Sequence, residues 1–237
     1  MLEKVVISKF FTQQLIISMQ GQDNIVGFRC NFDLVNFNAQ LLRHHKIYFP
    51  ITLQSSVIKR QAEFFAGRYA AKQILDTLGY QDFVVAIGEN RGPVWPDTLV
   101  GSITHHGNVA ICALGKKKDI RALGIDIEPI IKPETQKDIG TIILNEREKL
   151  LIKSTTLSYG RAFTISFSAK ESLFKALHPF VHRYFGFEAA EIISLCPQKN
   201  TFALRLCENL SEEFVKGFVI SGFFQETELE VFTQISF

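Results

Sequence analysis

The chain has 237 residues, of which 46% are apolar and 21% charged, with a formal net charge of +2. This is the composition of a folded soluble protein of one large or two small domains, and it excludes a disordered or fibrous chain. The charge is too small to indicate nucleic acid or an anionic membrane as partner, so any basic site must come from local clustering. Phenylalanine is abundant, 22 residues against one Trp, which predicts an aromatic-rich core. Cys30, Cys112, Cys196 and Cys207 lie far apart with no Cys-x-x-Cys spacing, which argues against a zinc site or a disulfide framework and for a reducing cytoplasm. Met1–Lys9 has no sustained apolar core or cleavage site, and no apolar run approaches the length needed to span a bilayer, so a chain without leader or transmembrane segment is expected.

In the first 54 residues the β-prone runs Leu15–Met19 and Ile25–Cys30 flank the turn-like Gly21–Asn24 and predict a hairpin. Arg43-His44-His45-Lys46 reads as a solvated basic loop. From Ser55 or Ser56 as N-cap, an amphipathic helix is predicted to about Leu78, ending at Gly79. It carries Arg60 and Arg68 on nearby parts of one face, with Gly67 leaving room for close approach. Two guanidinium groups on such a face suit a phosphate, although a plain exposed face gives the same pattern. Phe83–Ile87 predicts a strand, followed by the turn-rich loop Gly88–Asp97 with Arg91 ahead of two prolines. Thr104, His105 and His106 precede the predicted strand Asn108–Leu114. Lys116–Asp119 reads as a hairpin tip and Arg121–Pro129 as its return strand, closed by Pro129.

That return strand holds Gly124-Ile125-Asp126-Ile127-Glu128, where the alternation turns Asp126 and Glu128 to one face and Ile125 and Ile127 to the other. Ile130–Gly140 reads as a surface loop. Asn145 is expected to cap a helix, with Glu148 at the capping-box position. In Phe167–Lys175 a helix beginning at Ser168 sets Glu171 and Lys175 one turn apart, with Leu173, Phe174 and Leu177 on an apolar side. Ser168-x-x-Glu171 is also a capping box, and an acid–apolar–acid strand is also an ordinary half-buried edge. Carboxylates drawn from a strand and a helix suit a hard divalent cation such as Mg2+, and diphosphate chemistry is its natural use. The alternating text beyond His178-Pro179 predicts a closing antiparallel sheet.

Gly-Ile-Asp-Ile-Glu at 124–128, followed by Phe-Ser-Ala-Lys-Glu-Ser-x-x-Lys at 167–175, resembles the paired signature of the 4′-phosphopantetheinyl transferases. The best fit is to the single-chain branch of enterobactin-synthase-component and surfactin type, and Phe167 stands where Trp is common in the wider family. The resemblance implies an α+β fold of two similar halves related by a pseudo-twofold with the active site between them, residues 1–123 serving coenzyme A phosphates and 124–237 the metal. It implies Mg2+, with Mn2+ as the alternative, held by Asp126, Glu128 and Glu171. Glu171 would be the general base, with Glu148 as second candidate, and Lys175 would neutralise the leaving phosphate.

Coenzyme A, the substrate, would be held by Arg60 and Arg68 on its 3′-phosphate, by Arg91 toward its nucleotide end, by His105 with Thr104 beside it on a phosphate, and by Lys175. Thr104 stands where Ser is common, and His106 competes for the role of His105. The implied partner is an apo peptidyl carrier or acyl carrier protein, with peptidyl carrier domains of siderophore and nonribosomal peptide synthesis favoured by the branch. A cytoplasmic monomer that binds no nucleic acid is expected. Two competing readings are a catalytically silent coenzyme A-binding protein and a metal-dependent hydrolase of a nucleoside diphosphate derivative.

Overall fold

The computed structural model describes residues 9–88 and 91–237. The N-terminal Met1–Ser8 and the loop residues Glu89 and Asn90 lie outside the described residues, and with them most of the reading of the N-terminus. The chain is α+β, with two antiparallel sheets ordered β1-β2-β4-β3 and β5-β9-β8-β7-β6. It divides into two compact units: the described residues through Pro96 with Ile103–Leu114, and Asp97–Ser102 with Gly115–Phe237. No described helix is long and apolar enough to cross a membrane.

In the first unit β1 (Phe11–Met19) and β2 (Gln22–Phe32) form the expected hairpin. Its register pairs Leu15 with Arg29 and Ile17 with Gly27. Two short helices follow, α1 (Gln40–His44) and α2 (Ile51–Gln54), before the long α3 (Ile58–Thr77). The helix starts without a side-chain cap at Val57, slightly later than the serines predicted. Gly67 lets α3 approach closely, because a Cβ there would meet Ile103 Cγ2 at 2.8 Å. The abundant phenylalanine is explained by the packing: Phe10 stacks on Phe32 at 5.2 Å and Phe11 on Tyr69 at 4.0 Å, with Phe65 between them. Such offset and edge contacts add to the area that the rings bury.

Several expected elements are different in the structure. Phe83–Ile87 is not a strand: its one bridge, Ile87 to Pro93, closes a loop in which the Gly88 N–H donates to Gly92 O at 2.8 Å. The segment with Thr104 and His105 is itself a strand, β3 (Leu99–His106), which precedes β4 (Val109–Lys116). Nor is β5 (Leu123–Pro129) the hairpin return of β4, since the two belong to different sheets. Instead β5 pairs with β9, from Leu123 opposite Ser236 to Pro129 opposite Glu230, so Pro129 does end the ladder.

In the second unit Pro133 opens α4 (Pro133–Ile143) where a loop was expected; proline is tolerated at the first helical position because its missing N–H has no helical acceptor there. The box predicted for α5 (Glu146–Lys153) is present, with Asn145 and Glu148 capping one another. The α6 helix (Tyr159–Val181) begins well before Ser168, behind an N-cap at Ser158. It packs along β5 and β9. Strands β6 (Ala190–Cys196), β7 (Thr201–Leu206), β8 (Val219–Glu226) and β9 (Glu230–Ser236) form the predicted closing sheet, with Phe163, Phe202, Phe214 and Phe224 in the core beneath.

Candidate active site

The alternation of β5 does what the sequence requires of it: Ile125 and Ile127 are fully buried and Asp126 and Glu128 share the other face. Because α6 lies along this strand, Glu171 and Lys175 face the same carboxylates. Lys175 Nζ donates to Asp126 Oδ1 at 2.6 Å and to Ile125 O at 3.1 Å. Asp126 Oδ2 accepts from Ser168 Oγ at 2.8 Å, and a buried hydroxyl relay continues through Thr233 Oγ1 to Ser172 Oγ at 2.8 and 2.7 Å. Ser168 is therefore an internal ligand of Asp126, not a helix cap. Thr233 carries no signal in a single sequence, because its role appears only when β9 pairs with β5.

Three carboxylates act on one lysine here, and burial together with their mutual repulsion raises two of them. Burial, then Asp126, pushes the Glu128 carboxyl up to about 8, with Glu171 adding to the rise and Lys175 opposing it. Glu171 is raised by burial and by Asp126, again against Lys175. Unrelieved repulsion among all-oxygen donors is the condition a hard divalent cation would relieve, so the donor set fits Mg2+ in kind and in charge. Among the described residues no three acidic, histidine or cysteine side chains are gathered into a ready-made ion cage. The fit therefore rests on donor chemistry and charge.

A stability prediction follows from Glu128. An acid with a raised folded-state pKa keeps its proton in the folded state while the unfolded chain has lost it, so stability is full below about 4.5 and falls as pH rises through about 8. Glu128→Gln should leave stability unchanged at pH 4 and raise it by about 2 kcal/mol at pH 8 without metal, as read by urea unfolding.

Glu148 lies elsewhere. Its Oε2 accepts from Asn145 N, and its Oε1 accepts from Ile192 N and from Lys170 Nζ, each at 2.8 Å. Lys170 spends its other protons on Ile143 O and Phe187 O at 2.7 and 3.1 Å. A carboxylate so fully engaged, and only 1% exposed, has no oxygen to offer a substrate. The pair joins α4, α5, α6 and β6, and its lysine sits directly before Glu171. Lys170→Met should cost about 3 kcal/mol in a denaturant titration, because it leaves Glu148 charged, buried and unpaired; Lys170→Met with Glu148→Met should recover part of that loss.

Glu171 also lines a shallow groove of about 90 Å³, together with Lys170 and with Leu173, Phe174, Tyr184, Phe185 and Phe187 among its apolar walls. Its aromatic side chains offer an apolar contact surface beside the Glu171 carboxylate.

In the first unit the predicted basic residues differ in exposure. Arg60 is exposed, and its Nη1 lies 3.0 Å from His105 Nε2. Arg68, about 12 Å further along the helix axis, is buried instead. Its Nε donates to Val85 O at 3.0 Å, its guanidinium lies 4.7 Å over the Phe64 ring, and burial lowers its pKa to about 10. Lys46, Tyr48 and Lys72 line a small cleft of about 20 Å³ with it. Thus the structure joins Arg60 to His105 and sets Lys46 and Lys72 beside Arg68, while the Arg60 charge still acts on Arg68. Thr104 is buried beside His105, while Arg91 is exposed at a positive φ of 62°.

Comparison with known proteins bears on both units. Residues 49–115 match the family model described as 4′-phosphopantetheinyl transferase N-terminal domain, and residues 122–221 that described as 4′-phosphopantetheinyl transferase superfamily. Enterobactin synthase component D of Salmonella typhi is 35% identical over 165 residues, 68% of this chain and 68% of that protein. Its counterpart in Escherichia coli (strain K12) is 39% identical over 147 residues, 61% and 67% of the two chains. The 4′-phosphopantetheinyl transferase PptT of Mycobacterium tuberculosis is 34% identical over 138 residues, 58% and 60%. With both segments matched, and its carboxylates and lysine drawn from the strand and helix of the second, the chain belongs to the 4′-phosphopantetheinyl transferase superfamily, in its enterobactin-synthase-component type.

Proposed function

We propose that this protein transfers the 4′-phosphopantetheine arm of coenzyme A to a serine hydroxyl of an apo carrier protein, releasing adenosine 3′,5′-bisphosphate. The observation that carries the reading is the set Asp126, Glu128, Glu171 and Lys175, whose carboxylates outnumber their cation and whose Glu171 lines an aromatic groove. Asp126, Glu128 and Glu171 would hold Mg2+, which when bound supplies charge neutralisation on the diphosphate. Glu171 accepts the serine proton; its raised pKa brings it closer to working pH than an ordinary carboxylate. The serine oxygen forms the new bond to phosphorus, the bond from phosphorus to the bridging oxygen breaks, and Lys175 stands by as a point cation for the charge left on the departing phosphate.

Arg60 and His105 hold the 3′-phosphate, and Arg68, Arg91 and Thr104 contribute to the nucleotide end. Peptidyl carrier domains are the favoured acceptors, in line with the name enterobactin synthase component D. The four cysteines, all free thiols, support a cytoplasmic setting.

The test is intact-mass spectrometry of an apo peptidyl carrier protein and an apo acyl carrier protein, each incubated with coenzyme A, Mg2+ and this protein, with and without EDTA. A gain of one phosphopantetheine arm that EDTA abolishes is expected, faster on the peptidyl carrier. A gain that survives EDTA would remove the metal from the reading. No gain on either carrier, with coenzyme A still bound, would replace transfer by binding alone.

A further inference from the structure

On the first unit, the His105 ring stands between two side chains of α3. Its Nε2 is 3.0 Å from Arg60 Nη1 and its Nδ1 is 3.8 Å from Glu63 Oε2. A guanidinium has only donors, so Nε2 presents its lone pair to Arg60 and the ring proton sits on Nδ1, facing the carboxylate. Glu63 is confined: its side chain is 12% exposed and Lys59 Nζ lies 3.9 Å away. On α3 the charged groups that face the ring are Arg60 and Glu63, with Lys59 behind Glu63, and His106 follows it on β3.

We propose that Glu63 is a positioning residue for phosphate recognition, acting through His105. It holds the ring in the Nδ1–H form and supplies the counter-charge that lets Nε2 take up a proton when a phosphate dianion arrives beside Arg60. Without an anion, a proton on Nε2 would point at the guanidinium, which opposes it. Once a dianion is present, Nε2–H becomes a donor to it, Glu63 neutralises the imidazolium from the other side, and the proton comes from the buffer. The inference rests on the reading of Arg60 and His105 as ligands of the 3′-phosphate of coenzyme A.

Isothermal titration calorimetry at pH 7.5, in two buffers of different ionisation enthalpy, separates the two ideas. Wild type and E63Q are each titrated with coenzyme A and with 3′-dephospho-coenzyme A. Wild type is expected to take up about half a proton with coenzyme A and none with the dephospho form. E63Q should lose that uptake and bind coenzyme A about three- to tenfold more weakly, with the dephospho form unaffected. E63D, which keeps the charge, should restore the uptake, an effect that a packing role for Glu63 would not produce. If wild type treats the two ligands alike, the placing of the 3′-phosphate is wrong. If wild type discriminates and E63Q shows the same uptake and affinity, the role of Glu63 is overturned.

Discussion

Asp126→Ala is expected to lower turnover by about three orders of magnitude, or roughly 4 kcal/mol of transition-state stabilisation, while the Michaelis constant for coenzyme A changes less than about tenfold. The asymmetry follows from where the residue's bonds go. Asp126 is 3% exposed, with one oxygen on Lys175 and the other on Ser168. It thus fixes the lysine and the α6 turn that precedes Glu171, and the adenosine end of coenzyme A is assigned to other residues. The alanine variant also takes from the half-buried Lys175 the carboxylate it hydrogen-bonds to, so a fall in activity alone would not separate chemistry from packing. Asp126→Asn makes the separation: it keeps the shape and an acceptor for Ser168 Oγ but removes the charge. Full carrier modification by Asp126→Asn, with normal metal dependence, would defeat the assignment of Asp126 to the chemistry.

What was legible in the sequence was periodic or local. The two-residue period of β5 put Asp126 and Glu128 on one face, the helical spacing put Lys175 a turn beyond Glu171, and the capping box at Asn145 was present in full. What was missed depends on contacts between segments distant in the chain. The pairing of β5 with β9, in place of β4, brings Thr233 under Ser168 and Ser172. Glu148 looked like a spare acid near the site, and only the fold shows that Lys170, Asn145 and Ile192 use all of it. The serine at 168 looked like a helix start because its motif is that of a cap; in the middle of α6 the same hydroxyl turns to a carboxylate on another strand. Arg60 and Arg68 share a helix face, yet Val85 O and Phe64 draw one guanidinium inward while the other stays outside with His105.

Gly124→Ala should cost 4 kcal/mol or more, among the largest losses any single methyl group could cause in this chain. Glycine at 124 is not there for its backbone angles. A Cβ at this position would overlap the carbonyl oxygen of Ser172 and come within 2.7 Å of Ala176 N and 3.0 Å of Ala176 Cβ. Two of these three obstacles are α6 backbone, which no rotamer change can move, so strand and helix must separate. That separation acts directly on the carboxylate set, because Asp126 lies two residues along β5 while Ser168, Glu171 and Lys175 ride on α6. The bond from Lys175 Nζ to Asp126, 2.6 Å in the native packing, should lengthen, and surviving folded protein should show lowered turnover as well as lowered stability. Ala176→Gly in the same chain removes only one of the three contacts and should rescue little, whereas an obstacle made of side chains would be largely relieved by it. Urea unfolding of Gly124→Ala and of the double variant, with carrier modification measured below the transition, reads all of this. A stability within about 1 kcal/mol of wild type together with unchanged turnover would mean that the close approach of β5 to α6 does not hold the carboxylates in place.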